Sequence, residues 1–220
     1  MKRREQVAST ITPDGLHVEL FEHDGEYSIE IDYETLMCSR APGSEEALAS
    51  LAAAELEGIP RPHVMIGGLG LGFTVAAAVD AFPPGASVVV VEFFEAIVDW
   101  NRKFDFQKNT PLSDPRVSVE VADVFDYLNA APRPFDAILL DVDNGPEAWC
   151  LASNDRLYHD QGLTRIRRAL APDGLLVVWS AVESPAFMKR LDSAGFDARS
   201  ESVRSRGRKG SRHTLFVARA

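Results

Sequence analysis

Cysteine is nearly absent: Cys38 and Cys150 stand far apart, without the spacing of metal ligands. A disulfide scaffold is excluded, and the two read as reduced thiols of a cytoplasmic protein. The histidines, His17, His23, His63, His159 and His213, are equally scattered, so no metal site is expected. No apolar run approaches the ~18 residues of a membrane span. The start, Met1-Lys2-Arg3-Arg4-Glu5, leads into polar residues rather than a secretory signal. No serine, histidine and acid follow one another in a hydrolase order. Basic charge is also short, with a formal net charge of −10. Such a field repels a phosphate backbone, so no nucleic acid is expected and the partner is a small-molecule substrate.

What is present suits one sizeable folded unit: 220 residues, 45% hydrophobic and 25% charged. Residues 15–37 alternate, with Leu16, Val18 and Leu20, then Tyr27, Ile29 and Ile31, around His23-Asp24-Gly25. Period-two alternation about an Asp-Gly turn predicts a β-hairpin. Ser44-Glu45-Glu46 predicts a helix start, with Ser44 as N-cap and the acids at the positive end of the dipole. Gly58 and Pro60 stop that helix, so residues 1–60 read as a small N-terminal unit and 61–220 as the main domain.

From Val64 onward the texture changes. Continuous apolar runs at 64–66, 87–91, 117–121, 135–140 and 175–179 alternate with helical stretches at 73–81, 96–103, 125–130 and 162–170. Unbroken runs suit strands buried on both faces, and the repeats predict a doubly wound, mostly parallel Rossmann-like α/β sheet. Ser184-Pro185 begins a further helix that Gly195 ends. Residues 196–203 and 213–218 then predict an antiparallel edge. Between them Arg204, Arg206, Arg208, Lys209 and Arg212 read as a solvated basic loop.

Four features carry chemistry. Gly67-Gly68-Leu69-Gly70-Leu71-Gly72 lies between a strand and a helix, where backbone N–H groups and the dipole favour an anion. Glu92 ends the next strand, where a carboxylate accepts from ribose hydroxyls. Asp123 ends the third, placed equally well for an adenine amino group or for capping the next helix. Asp141-Val142-Asp143-Asn144-Gly145-Pro146 follows the fourth, at the carboxyl ends where such sheets bind ligands. Asp141 reads as a general base or an anchor for a cation, against the alternative of turn chemistry. Trp149 and Cys150 stand where they can wall a pocket, and His159 reads as a surface histidine at a helix start.

From Val64 to Trp179 the chain resembles the spermidine synthase family, which shares the class I methyltransferase fold. The likeness rests on Gly67-Gly68-Leu69-Gly70, Val91-Glu92, Asp114-Pro115-Arg116-Val117, Ala122-Asp123, Asp141 with Gly145-Pro146, and Tyr158 with Leu163. It implies nucleoside binding by Gly68, Gly70, Gly72, Glu92, Asp123 and Asp141. It gives Asp141 the catalytic aspartate's role, Tyr158 a hold on the amine, and the protein a homodimer. Two departures stand out: the family's loop aspartate falls at Gly70, and its second aspartate at Asn144. A loop of bare N–H groups suits the carboxylate of S-adenosylmethionine (AdoMet). The leading expectation is therefore an AdoMet-dependent methyltransferase of unknown acceptor. The alternatives are an aminopropyltransferase using decarboxylated AdoMet, with Asp141 as base, and a non-catalytic module binding a thionucleoside such as methylthioadenosine. A dinucleotide dehydrogenase rests on the glycine turn and Glu92 alone.

Overall fold

The computed structural model describes residues 3–12, 15–104, 106–107, 110–142, 145–146, 152–207 and 209–220. Its first layer is an antiparallel sheet, β1(Glu5–Ile11), β2(His17–His23), β3(Glu26–Ile31) and β4(Glu34–Cys38), in that order. The expected hairpin is β2–β3. Val18 faces Ile31 and Leu20 faces Ile29, all four buried on one side. At the turn Asp24 and Gly25 have φ of 55° and 84°, the paired positive values of a type I′ turn. β4 carries no such signal in the sequence. It follows a second turn of the same kind at Asp32 and Tyr33, φ 47° and 69°, made without glycine.

Next comes α1(Gly43–Glu55), whose cap position is Pro42 rather than Ser44. Ser44 is buried at the second position of the helix and its hydroxyl donates to Glu45 Oε2 at 2.5 Å. The cause is tertiary. Gly43 lies so close to β10(Asp197–Arg206) that a Cβ there would stand 2.8 Å from the Ser205 carbonyl oxygen. Only glycine lets the helix start dock at that point, and the cap moves back accordingly.

The main sheet orders as β10-β11-β9-β8-β5-β6-β7. β5(His63–Gly67), β6(Ser87–Glu92), β7(Val117–Val121), β8(Phe135–Leu140) and β9(Leu170–Ser180) run parallel, and β10 and β11(Lys209–Arg219) close one edge antiparallel. α2(Phe73–Ala81), α3(Glu95–Lys103), α4(Val124–Ala130), the short α5(Ala152–Asp155), α6(Asp160–Ala169) and α7(Pro185–Ser193) complete the fold. Ser184 caps α7, accepting from the Phe187 amide at 2.9 Å. Alternate residues of each strand enter opposite cores. Val64 and Ile66 meet α1 and α2, while Met65 meets α4 and α6. Both faces being covered, the runs have no reason to alternate.

The four-stranded sheet has no core of its own: Val18, Leu20, Ile29 and Ile31 join the cluster formed by α1, α2, α3 and one sheet face. The expected basic loop is instead hairpin strand. Arg204 pairs across from Arg212 and donates to the Gly210 carbonyl, with Arg206 and Lys209 at the tip; Arg208 lies outside the described residues. Arg116 fastens the start of β7, pairing with Asp114 and donating to the carbonyls of Val79 and Phe82. That guanidinium holds the Asp114 carboxyl down at about 2. No helix among the described residues is long and apolar enough to cross a membrane.

Gly43→Val should force α1 away from β10 at a cost of about 1–3 kcal/mol, the usual range for overpacking. Thermal melting should show it as a drop of several degrees; an unchanged Tm would mean that α1 does not dock there.

Candidate functional site

Strand order reverses between β5 and β8: the chain runs from β5 out to β7 and returns to β8 on the other side. The carboxyl ends of these two strands, Gly67 and Leu140, lie side by side, and loops diverging from them open a crevice. The glycine turn fills its floor. Gly68 has φ 88°, and a Cβ on it would fall 2.4 Å from the Asp141 carbonyl oxygen. Gly70 has φ 51°, and a Cβ there would fall 2.4 Å from Met37 Sδ, delivered by β4. Gly68 is demanded twice, by backbone conformation and by close approach to another backbone, and Gly70 by its positive φ, with the Met37 side chain packed against it.

The amides of this turn are not bare. Gly68 N–H donates to Val91 O at 2.9 Å and Gly72 N–H to Leu69 O at 2.8 Å. Leu69 N–H donates to Glu92 Oε2 at 2.8 Å, and Leu71 N–H to Met37 Sδ at 3.2 Å. The Gly70 amide also favours the ionised form of the Glu92 carboxyl. The expectation of free donors for an AdoMet carboxylate is therefore corrected: every amide from Gly68 to Gly72 is directed at a group of the protein itself.

Glu92 takes two of those amides, Leu69 and Gly70. Its other oxygen, Oε1, accepts from the Phe94 amide at 2.8 Å. The side chain is buried, and burial pushes its pKa up despite the amides. Each carboxylate oxygen keeps a further lone pair.

Asp141 closes the far side. Its amide donates to Gly67 O at 2.9 Å, and Oδ2 accepts from Thr74 Oγ1 at 2.5 Å. Burial and the charge of Glu45 push its pKa up to about 7, with the hydrogen bond from Thr74 opposing them. Glu45, at the start of α1, is itself raised by burial, with Ser44 opposing. The two acids share the cavity with Gly68, Gly70 and Glu92. Its remaining wall is mostly apolar, with Ile31, Leu36 and Met37 from the N-terminal sheet, Phe94 after β6, and Trp179 at the end of β9, and with Asn154 as a further polar residue. Trp179 stacks on His213 at 4.9 Å, and its buried indole N–H has no acceptor among the described residues. No lysine, arginine or histidine is among the described residues that line the cavity.

Gly68, Gly70, Glu92 and Asp141 thus converge, and three predicted residues do not. Gly72 is turned to α3, where a Cβ would meet Asn101 Oδ1 at 2.8 Å. Asp123 caps α4, accepting from the Asp126 amide at 3.2 Å, and pairs with Arg156 at 2.8 Å. Tyr158 is fully buried against Phe187, its hydroxyl donating to the Val142 carbonyl at 3.2 Å. It props the Asp141 loop from behind, because an aromatic ring in the core leaves only its hydroxyl to reach that backbone. His159 caps α6 at the surface beside Asp155. Asp143, Asn144, Trp149 and Cys150 lie outside the described residues. The sequence reading missed Glu45, Thr74 and Met37, whose role is created by the packing of α1 and β4 over the turn.

A carboxyl held near 7 in the fold and about 4 when unfolded contributes stability that is full below pH 4 and lost as pH rises through 7. Asp141→Asn removes that loss while still accepting from Thr74. Its Tm should match the wild type near pH 4 and exceed it at pH 8; parallel curves would show that Asp141 titrates normally.

Comparison with known proteins bears on this geometry. A family model described as the spermine/spermidine synthase domain matches residues 45–194. Polyamine aminopropyltransferase 1 of Streptomyces coelicolor is 32% identical over 120 residues, 50% of this chain and 22% of that protein, so the match spans about a fifth of the relative's length. Two solved structures share the fold. Spermidine synthase in complex with the transition-state analogue AdoDATO has a TM-score of 0.78 at 18% identity, covering 97% of this chain and 73% of that one. Spermidine synthase from Thermotoga maritima has a TM-score of 0.75 at 18% identity, covering 97% and 72%. From the start of α1 through α7 the residues match one family model, and the chain belongs to the spermine/spermidine synthase domain family.

Proposed function

We propose that this protein transfers an aminopropyl group from decarboxylated AdoMet to an amine. The observation that carries the reading is electrostatic. The cavity brings together Glu45, Glu92 and Asp141 with no cationic side chain among the described lining residues, and the amides of its glycine turn are already engaged. Such a site favours a guest that is cationic and lacks a carboxylate. The donor is a sulfonium with a terminal ammonium; AdoMet adds a carboxylate for which the turn offers no donor. Methyl transfer, the leading expectation from sequence, rested on those donors. Family membership and the name of the Streptomyces relative point the same way.

In this reading the spare lone pairs of Glu92 accept from the ribose hydroxyls. The acceptor's nitrogen attacks the carbon beside the sulfonium. The C–S bond breaks, its electron pair stays on sulfur, and the nucleoside leaves as the thioether methylthioadenosine. The amine's proton passes to the Asp141 carboxylate, whose pKa near 7 suits a general base at neutral pH. Burial supplies that basicity, and the Thr74 hydroxyl aims it.

Calorimetric titration should show decarboxylated AdoMet binding well ahead of AdoMet; the opposite order would return the site to methyl transfer. With a diamine acceptor, kcat/KM should rise with pH along an acidic limb centred near 7. Asp141→Asn should lower kcat by roughly 10²–10⁴-fold, the range for losing a general base. Its affinity for methylthioadenosine should stay near wild type, and undiminished turnover would remove Asp141 from the chemistry.

A further inference from the structure

The cavity's carboxyl groups are not equivalent. Glu92 is bound on both oxygens by backbone amides and forms part of the floor. Asp141 is tied to Thr74 and lies at the end of β8. Glu45 comes from another layer, the first turn of α1, and reaches the same cavity from above the glycine turn. Its Oε2 accepts from the Ser44 hydroxyl at 2.5 Å, and its backbone carbonyl accepts from Thr74 Oγ1 at 3.4 Å. The Thr74 hydroxyl has one proton, which the short bond to Asp141 Oδ2 takes, leaving the Glu45 carbonyl at 3.4 Å as a second, weaker acceptor of the same proton. No lysine, arginine or histidine forms an ion pair with Glu45 among the described residues. A carboxylate removed from water without a cation is costly, and a bound ammonium offsets that cost.

Position 70 shows why the acid comes from α1. A side chain there would begin 2.4 Å from Met37 Sδ, and that sulfur also accepts the Leu71 amide. In this packing the thioether occupies that space, and with glycine at position 70 the carboxyl beside the turn is supplied from α1. Met37 and Glu45 flank the loop between β4 and α1, so one stretch of chain both fills the turn and supplies a carboxyl beside it.

We propose that Glu45 is the residue that selects the donor: its carboxylate holds the terminal ammonium of the aminopropyl arm and repels a donor that carries a carboxylate there. This rests on the transfer reading above. The labour divides, with Asp141 taking the proton from the acceptor and Glu45 holding the charge of the arm.

The test titrates wild type, Glu45→Gln and Glu45→Asp with decarboxylated AdoMet, AdoMet and methylthioadenosine. Methylthioadenosine lacks the arm and reports the nucleoside subsite alone. Glu45→Gln should weaken decarboxylated AdoMet by roughly 10–100-fold, the equivalent of one hydrogen bond to a charged group. Methylthioadenosine affinity should not move, the preference over AdoMet should narrow, and Glu45→Asp should restore part of it. If Glu45→Gln keeps the wild-type preference, or weakens all three ligands equally, Glu45 does not select the donor, although the transfer reading stands. If wild type itself does not prefer decarboxylated AdoMet, the transfer reading falls and this assignment with it. Should Glu45→Gln not fold, Glu45→Asp decides alone, since moving the charge back by one methylene must alter the preference and leave methylthioadenosine unaffected.

Discussion

The site depends on one close approach, the backbone of Gly68 against the backbone of Asp141. With a Cβ excluded at 2.4 Å, the ends of β5 and β8 are held so near that the loops leaving them face each other across a narrow crevice. A doubly wound sheet creates a gap wherever its strand order reverses. Here the gap is set by glycine after one strand and an acid after the next.

Electrostatics follow from how the turn spends its donors. A strand–glycine–helix connection ordinarily offers N–H groups to an anion. In this fold Glu92 lies beneath the turn and takes the Leu69 amide, Val91 takes that of Gly68, and Met37 takes that of Leu71. The same motif therefore offers no free donor to a ligand lying against Asp141 and Glu45. Burial raises the pKa of Asp141 and Glu45 together, because neither has a fixed cation to stabilise its charge.

The N-terminal sheet takes part in this chemistry. Its buried residues share a core with α1, α2 and α3, so β4 and α1 are seated rigidly over the turn. That seating turns Met37 and Glu45, unremarkable in the sequence, into a plug and a charge. It also explains the displaced helix cap: α1 begins where Gly43 can touch β10, not where a serine side chain would prefer.

The sequence by itself determined the architecture, because hydrophobic period and turn chemistry are local. Continuous apolar runs marked the five parallel strands, Asp24-Gly25 marked the hairpin, and Ser184-Pro185 marked α7. It also placed Gly68, Gly70, Glu92 and Asp141 at strand ends, which the fold brings to one cavity. Tertiary structure decided the rest. Whether an amide is free, whether Tyr158 faces a ligand or the core, and whether Asp123 is spent on Arg156 all depend on partners far away in the chain. β4 was invisible because its turn at Asp32 and Tyr33 adopts positive φ without glycine, a strain that only the surrounding sheet sustains. The acid at the start of α1 read as a helix-dipole residue, since nothing local records that a second layer folds it over the glycine turn.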